Sequence, residues 1–177
     1  MINADLVFET LQRCADSDSS VIAEFRRSLS FDPGTYAPVF PWLEPHVGHA
    51  ANRARERAYL VTGLWALASK RGSGDPCSLP DAMRRVARSR ESRSVEARFV
   101  ALLDSEGDEL IWRLRHVIDL IAAEKVTLNW PALLRDVLAW DADSRFIQQR
   151  WAREYWRSEA SLETPSAELA APISPQA

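Results

Sequence analysis

The sequence predicts an all-α protein of about eight helices in two small helical bundles, followed by a disordered acidic C-terminal tail. Three observations support this fold class. Apolar residues recur at helical spacing along most of the chain, no convincing run alternates as a strand would, and the strong helix breakers are grouped at a few points. With 177 residues and 46% hydrophobic side chains, the chain can also bury a substantial core.

The first unit is predicted to span residues 1–90. Residues 4–14 form an amphipathic helix through Leu6, Val7 and Leu11, and a second helix follows through Phe25. Residues 30–45 contain four prolines and Gly34, which predicts an irregular segment. That segment also carries aromatic residues that we expect to pack across the helices: Phe31, Tyr36, Phe40 and Trp42.

A long helix is predicted for residues 47–69, because its second half is apolar on nearly all sides. The breakers in residues 71–76 end it. Ser78 and Asp81 then have the spacing of a capping box, which predicts a short helix. Residues 89–94 are rich in Ser and Arg and mark the predicted boundary between the two units.

The second unit is predicted to span residues 94–157. One helix begins near Val95 and ends at Gly107, a second follows from Leu110 to Ile121, and a third starts at Asn129 before Pro131. The last helix covers residues 144–157, and residues 158–177 form the predicted disordered tail. Five tryptophans fall on or near the apolar faces and are predicted to lie in the core: Trp65, Trp112, Trp130, Trp140 and Trp151.

No motif for catalysis, metal binding or cofactor binding is present. The chain has no glycine-rich phosphate loop and no paired Cys-x-x-Cys, so we expect no enzyme activity, no metal and no cofactor. Asp141 and Asp143 are interpreted as an N-cap and a first-turn acid. Two cysteines without ligand spacing, no membrane-length apolar run and no signal peptide predict a cytoplasmic protein.

The arginines are the more specific feature. Eleven basic and five acidic side chains give residues 53–98 a formal charge of +6, whereas four basic and nine acidic side chains give residues 99–144 a charge of −5. Arginines four residues apart, as at Arg84 and Arg88, repel each other on a helix. A nucleic acid would offset that repulsion, but an acidic protein surface, in this chain or in a partner, would do so too. Both alternatives stay open at this point.

Several segments resemble a known family in their order and spacing. They are Glu24–Leu29, Ala58–Leu67, Ser94–Leu103, Leu110–Arg115, Asn129–Asp141 and Arg150–Trp156. Together they are similar to the small subunit, CasB, of the type I-E CRISPR Cascade surveillance complex. The likeness runs from about residue 20 to residue 157.

The resemblance implies a non-catalytic subunit that is present in two copies and contacts the backbone and large subunits that carry the crRNA. It implies sequence-independent binding of the target and non-target DNA strands, which would stabilise the R-loop. Its arginine-bearing segments correspond to Arg26, Arg27, Arg53, Arg55, Arg57, Arg98, Arg115, Arg145 and Arg150. Charge and helical position add Arg84, Arg85, Arg88, Arg90 and Arg153. Phe146 and Trp156 are candidates for base stacking. The alternative is a helical scaffold whose arginines pair only with partner proteins.

Overall fold

The computed structural model describes residues 1–69, 73–90 and 92–157, and within them it confirms a mostly helical protein. The predicted tail, residues 158–177, lies outside the described residues. The helices are α1 (Ala4–Ser17), α2 (Ser20–Ser28), α3 (Phe40–Val47), α4 (Asn52–Ala68), α5 (Leu79–Arg90), α6 (Arg93–Asp104), α7 (Glu109–Ala123), α8 (Trp130–Leu138) and α9 (Phe146–Tyr155), with a 3₁₀ turn at Ala37–Val39.

Two short strands depart from the expectation that the chain has none. Strand β1 (Ser73–Cys77) pairs in parallel with β2 (Val126–Leu128), and the register shifts along the pair. β1 contains Gly74 and Pro76 and β2 has only three residues, so neither shows an alternating pattern. Contact between distant parts of the chain forms this pair, and local sequence preference does not. The Asn129 N–H extends it by donating to the Cys77 carbonyl at 2.8 Å.

The segment before α4 is more helical than predicted. The helix expected over residues 47–69 is α4, which begins only at Asn52, and the separate helix α3 ends at Val47. α3 starts inside the proline-rich segment, where Pro41 in the first turn loses no helical hydrogen bond. Two aromatic rings of this segment pack on the helices as expected. The ring centroids of Trp42 and Phe25 are 6.1 Å apart, and those of Phe40 and Tyr59 are 5.8 Å apart.

Helices α2 and α4 pack closely at Gly63. A Cβ atom at this position would lie 2.7 Å from Leu29 Cδ2 and 3.3 Å from the Phe25 carbonyl oxygen. A side chain at this position would displace the Leu29 side chain and press on the Phe25 carbonyl. The glycine therefore permits the close approach of the two helices.

The predicted boundary falls between α5 and α6. Across it, α4 packs on both α7 and α8, α1 packs on α8, and α5 packs on α9. The division into two units stays a prediction. The order of the helices in space brings α5, α6 and α9 together on one side of the molecule.

Two predictions about core residues were wrong. Leu6 is exposed on α1, whose buried face is formed by Val7, Phe8 and Leu11. Trp112 is also exposed, because the buried face of α7 passes through Leu110, Leu114 and Val117. Trp65, Trp140 and Trp151 are buried as predicted, and Trp130 is partly buried against the core.

Candidate nucleic-acid interface

A groove of about 440 Å³ lies between α5, α6 and the C-terminal end of α9. We call it the arginine groove, because its lining within the described residues contains four arginines and a single acid, Glu96. The arginines are Arg84, Arg88, Arg93 and Arg157. The sequence placed two of them, Arg84 and Arg88, among the candidate residues, and the fold adds the other two.

Local sequence explains how the groove is built. Ser78 caps α5 as the capping box predicts, since its Oγ accepts a hydrogen bond from the Asp81 N–H at 3.2 Å. Arg84 and Arg88 are then one helical turn apart. Ser92 caps α6 by accepting from the Ser94 N–H, so Arg93 occupies the first turn of that helix. Helix α9 ends at Tyr155 and places Arg157 on the opposite wall.

Asp81 is a buried carboxylate that lies close to three arginines. It forms ion pairs with Arg84 and with Arg85, the latter at 2.8 Å, and lies 3.9 Å from Arg157. One negative charge among three positive ones leaves the region positive. Arg84 Nη1 is buried and has no hydrogen-bond partner in the part of the chain that the structure describes.

Two aromatic residues form one wall of the groove and differ in role. Tyr155 stacks on Phe99 with ring centroids 4.4 Å apart, and burial raises the pKa of its hydroxyl, with the Glu96 charge adding to the effect. Trp156 packs edge-on against Tyr155 but stays 48% exposed. Tyr155 therefore belongs to the core, whereas Trp156 presents an accessible ring to the groove.

Four predicted arginines lie outside the arginine groove and make contacts within this chain. Arg26 donates to the Ala66 carbonyl at 2.9 Å, and Arg27 pairs with Glu24 at 3.0 Å. Arg115 donates to the Leu29 carbonyl. Because Arg26 and Arg115 donate to backbone carbonyls, their first role is to fix the fold, whereas Arg27 forms an exposed ion pair within α2.

Arg55 is the fourth of these residues. Its Nε donates to Glu44 Oε1 at 2.7 Å, and its guanidinium lies 5.0 Å from the centre of the Tyr59 ring. The hydrogen bond from Arg55 lowers the pKa of Glu44, although burial works against it, and a bond from the Tyr59 hydroxyl adds to the lowering. Burial and the Glu44 charge raise the pKa of Tyr59.

Arg53 and Arg57 converge on Asp141, at 3.0 and 2.6 Å. Only 8% of the Arg57 side chain is exposed, so this arginine is an internal ion-pair partner. The interpretation of Asp141 as an N-cap was wrong, because α9 begins only at Phe146 and Arg145 occupies its N-cap position. Asp141 instead connects α4 to the turn that follows α8.

The remaining predicted arginines are spread over several surfaces. Arg145, with a left-handed backbone (φ 50°), pairs with Glu106 at 2.8 Å and donates to the Leu103 carbonyl. Arg150 pairs with Asp136, and Arg90 pairs with Glu124 at 2.7 Å. Three more are exposed: Arg85, Arg98 and Arg153. The fold therefore does not gather the predicted residues into one site.

Sequence reasoning missed Arg93 and did not select Arg157 as a site residue. A signal existed for each of them. Arg93 lies in the Ser/Arg-rich connection, and Arg157 continues the arginine face formed by Arg150 and Arg153 in the last predicted helix. Their meeting depends on the packing of α5 against α6 and α9, which periodicity does not reveal.

The described part of the chain offers neither a metal site nor a membrane span. No group of three or more His, Cys, Asp or Glu side chains there is arranged to hold a metal ion. None of the helices described is both long enough and apolar enough to cross a membrane.

Comparison with known proteins gives a consistent result. Residues 21–156 match the family model described as CRISPR-associated protein Cse2. The chain is 38% identical over 156 residues to the CRISPR-associated protein Cse2 of Thermus thermophilus, an alignment that covers 84% of this chain and 86% of that protein. The crystal structure of a Cse2-family protein from Thermus thermophilus is similar with a TM-score of 0.78 at 33% identity, over 89% of this chain and all of that one.

A more distant structure shares the fold. A chain of a solved CRISPR RNA-guided surveillance complex matches with a TM-score of 0.72 over 90% of this chain and 93% of that one, at 17% identity. The region matched by the family model, residues 21–156, coincides with the stretch over which the sequence resembles the CasB family.

Proposed function

Because this chain belongs to the CRISPR-associated Cse2 (CasB) family, we propose that it is the non-catalytic small subunit of a crRNA-guided Cascade surveillance complex. In this role it binds DNA without reading sequence and stabilises the R-loop, in contact with the displaced non-target strand and the target strand. Base pairing with the guide supplies specificity in such a complex, so modest contacts to the DNA backbone suffice to favour the open state. Its other partners are the backbone and large subunits with their crRNA and a second copy of this chain, in the cytoplasm.

The arginine groove is the observation that carries the DNA-binding part of this proposal. Its four arginines lie on α5, on α6 and just after the end of α9, with one acid among the described lining residues. Arginine is suited to phosphate because its donors form a planar fork that stays charged. Release of counterions from DNA would offset the repulsion between these side chains.

The unpaired donor on Arg84 supports the same assignment. A buried N–H without a partner costs about 1–3 kcal/mol. Asp81 already accepts from the other nitrogen of this guanidinium. A phosphate oxygen that enters the groove would supply the missing acceptor after a small movement of the side chain.

The exposed Trp156 favours a single strand over a duplex at this groove. Grooves that bind single-stranded DNA combine positive charge with aromatic rings on which bases stack. In a duplex the bases already stack on each other and leave no face for Trp156. Phe146 is also exposed but does not line the groove, so Trp156 is the stronger candidate for stacking.

The alternative is a helical scaffold whose arginines pair only with partner proteins. Several arginines already pair with carboxylates of this chain, which argues against DNA contact at those positions. The two functions differ in one measurable property, because only the first requires the isolated protein to bind DNA of any sequence with strong salt dependence.

The test compares two triple variants of equal charge change. Arg88→Gln, Arg93→Gln and Arg157→Gln remove groove charge, and Arg13→Gln, Arg113→Gln and Arg135→Gln remove three exposed arginines elsewhere. We expect wild type to bind unrelated single-stranded DNA sequences equally in fluorescence anisotropy. In the groove variant, the salt slope should fall by about one unit for each lost phosphate contact.

The control variant should keep nearly the wild-type slope. Equal loss of slope in both variants would assign the binding to net charge and remove the groove from the proposal. No binding by wild type at low salt would favour the scaffold function.

A further inference from the structure

A second concave surface shares no lining residue with the arginine groove. It is a cleft of about 550 Å³ between residues 28–36, α4 and α7. We call it the aromatic cleft, because four aromatic rings line it, together with aliphatic side chains that include Leu60 and Ile111. The rings are Phe31, Tyr36, Tyr59 and Trp112.

Two of these rings are largely exposed to solvent. Trp112 is 63% exposed and Phe31 is 49% exposed, although each has an aromatic or apolar neighbour in the cleft. Phe31 stacks on Tyr36 with ring centroids 4.6 Å apart, which leaves its other face open. Exposed rings beside a concave surface mark sites where another molecule covers apolar area.

The charge of the cleft is opposite to that of the groove. Asp32, Glu56 and Asp108 line it, all three are exposed, and none of their carboxylates has a hydrogen bond or ion pair in the described part of the chain. Among the described lining residues the one cation, Arg115, donates to the Leu29 carbonyl. This balance disfavours phosphate and favours a guanidinium or ammonium group.

The wall of the cleft is fixed before any ligand binds. Arg55 donates to the Gly34 carbonyl at 3.3 Å, and the Tyr36 hydroxyl donates to Glu24 at 2.6 Å. Gly34 has φ 84°, and a Cβ there would lie 2.8 Å from Arg55 Nη1, so only glycine suits this turn. A preformed surface loses little conformational entropy on binding.

From this geometry we propose that the aromatic cleft binds a segment of a partner protein that carries an arginine or lysine beside an aliphatic side chain. The cation packs over the face of Trp112 and pairs with Glu56 or Asp108 at the rim. The aliphatic neighbour covers Phe31 and Ile111. This site is separate from the arginine groove. It would position this chain against a neighbouring protein while the arginine groove holds a DNA strand.

The test uses two synthetic nine-residue peptides of identical length, with Leu-Arg-Leu or Leu-Glu-Leu at the centre of an otherwise Gly/Ser sequence. Each is titrated into the full-length protein, and the Trp112 indole N–H signal is followed by NMR and assigned from its loss in Trp112→Phe. We expect a saturable shift of that signal with the arginine peptide only. In the double variant Glu56→Gln and Asp108→Asn, binding should weaken by about 10-fold or more, as loss of a charge-assisted hydrogen bond predicts.

The groove triple variant serves as the control and should bind the arginine peptide as wild type does. Circular dichroism of each variant checks that the fold is retained. Equal shifts from both peptides, or no shift from either, would overturn the proposal. A shift produced by single-stranded DNA would assign the cleft to nucleic acid. Self-association that disappears in Trp112→Ser, without peptide binding, would assign it to a second copy.

Discussion

Arg57 and Asp141 are joined by a 2.6 Å ion pair that connects the N-terminal half of α4 to the turn after α8. The arginine is buried, whereas the carboxylate is partly exposed and also receives Arg53. Two residues 84 positions apart thus meet through the fold. Arg57, which the sequence predicted as a DNA-binding residue, is therefore part of the protein interior.

Removal of Asp141 should destabilise the protein strongly. Asp141→Ala leaves the Arg57 charge buried without its partner. Breaking a fully buried pair costs about 3–5 kcal/mol, and because the Asp141 side chain is 33% exposed we expect a loss at the lower end of that range. The matched control is Asp5→Ala, which breaks an exposed pair with Arg135 at 2.7 Å. That loss should be below about 1 kcal/mol. Urea unfolding of the two variants measures the difference, and equal losses would show that the Arg57 pair is not a buried interaction.

Stability should depend on pH through Glu44. The hydrogen bond from Arg55 lowers the pKa of Glu44 in the folded protein, so the folded state binds its proton less readily than the unfolded chain does. The stabilisation is therefore complete above the unfolded pKa, about 4.3. It is lost as pH falls through the lower folded value. Glu44→Gln should be less stable at pH 7 and should lose less stability between pH 5 and pH 3 than wild type. A parallel decline of the two proteins would contradict the prediction.

The same substitution should destabilise the protein at one tryptophan and have little effect at another. Trp140 is buried and its indole N–H donates to the Ser105 carbonyl at 3.0 Å, so Trp140→Phe leaves a cavity and an unpaired carbonyl. We expect a loss of about 1–3 kcal/mol from the carbonyl alone. Trp112→Phe should stay within about 0.5 kcal/mol of wild type, because the ring is on the surface. Thermal unfolding followed by calorimetry checks both, and a large loss for Trp112→Phe would mean that this ring packs against the core.

Trp156 should matter for single-stranded DNA and much less for duplex. Trp156→Ala should weaken single-strand binding by about 1–3 kcal/mol, the range found for base–aromatic stacking. Trp156→Phe should restore most of that loss, since a ring remains. Trp112→Ala is the control. Because the Trp112 ring lies in the aromatic cleft, its removal should not affect DNA binding. Equal losses with single strands and duplex would argue against stacking.

Much of the fold could be predicted from the sequence because helices have a local signature. Gly107, with φ 52°, separates α6 from α7 at the expected position, and Ser78 and Asn129 begin helices as their spacing predicts. The β1–β2 pair escaped prediction because its residues have no strand pattern of their own. Trp112 was misplaced because the apolar face of α7 is wide and a residue at its edge can point either way.

The candidate groove was only partly predictable. Helical spacing placed Arg84 and Arg88 on one face, but charge alone treats Arg57 and Arg157 alike. The fold buries the first against Asp141 and leaves the second beside Trp156. Burial depends on which helices pack together, and neither charge nor local periodicity contains that information.

The sequence by itself determined the helical class, the positions of most helix ends and the excess of arginine over lysine, because capping, breakers and side-chain chemistry are local properties. It also carried the resemblance to the CasB family through the order of its segments. Only the tertiary structure decided which arginines are internal and which line the groove, and that acids and exposed rings meet in a separate cleft. These properties depend on contacts between residues far apart in the chain, where packing against one neighbour excludes another.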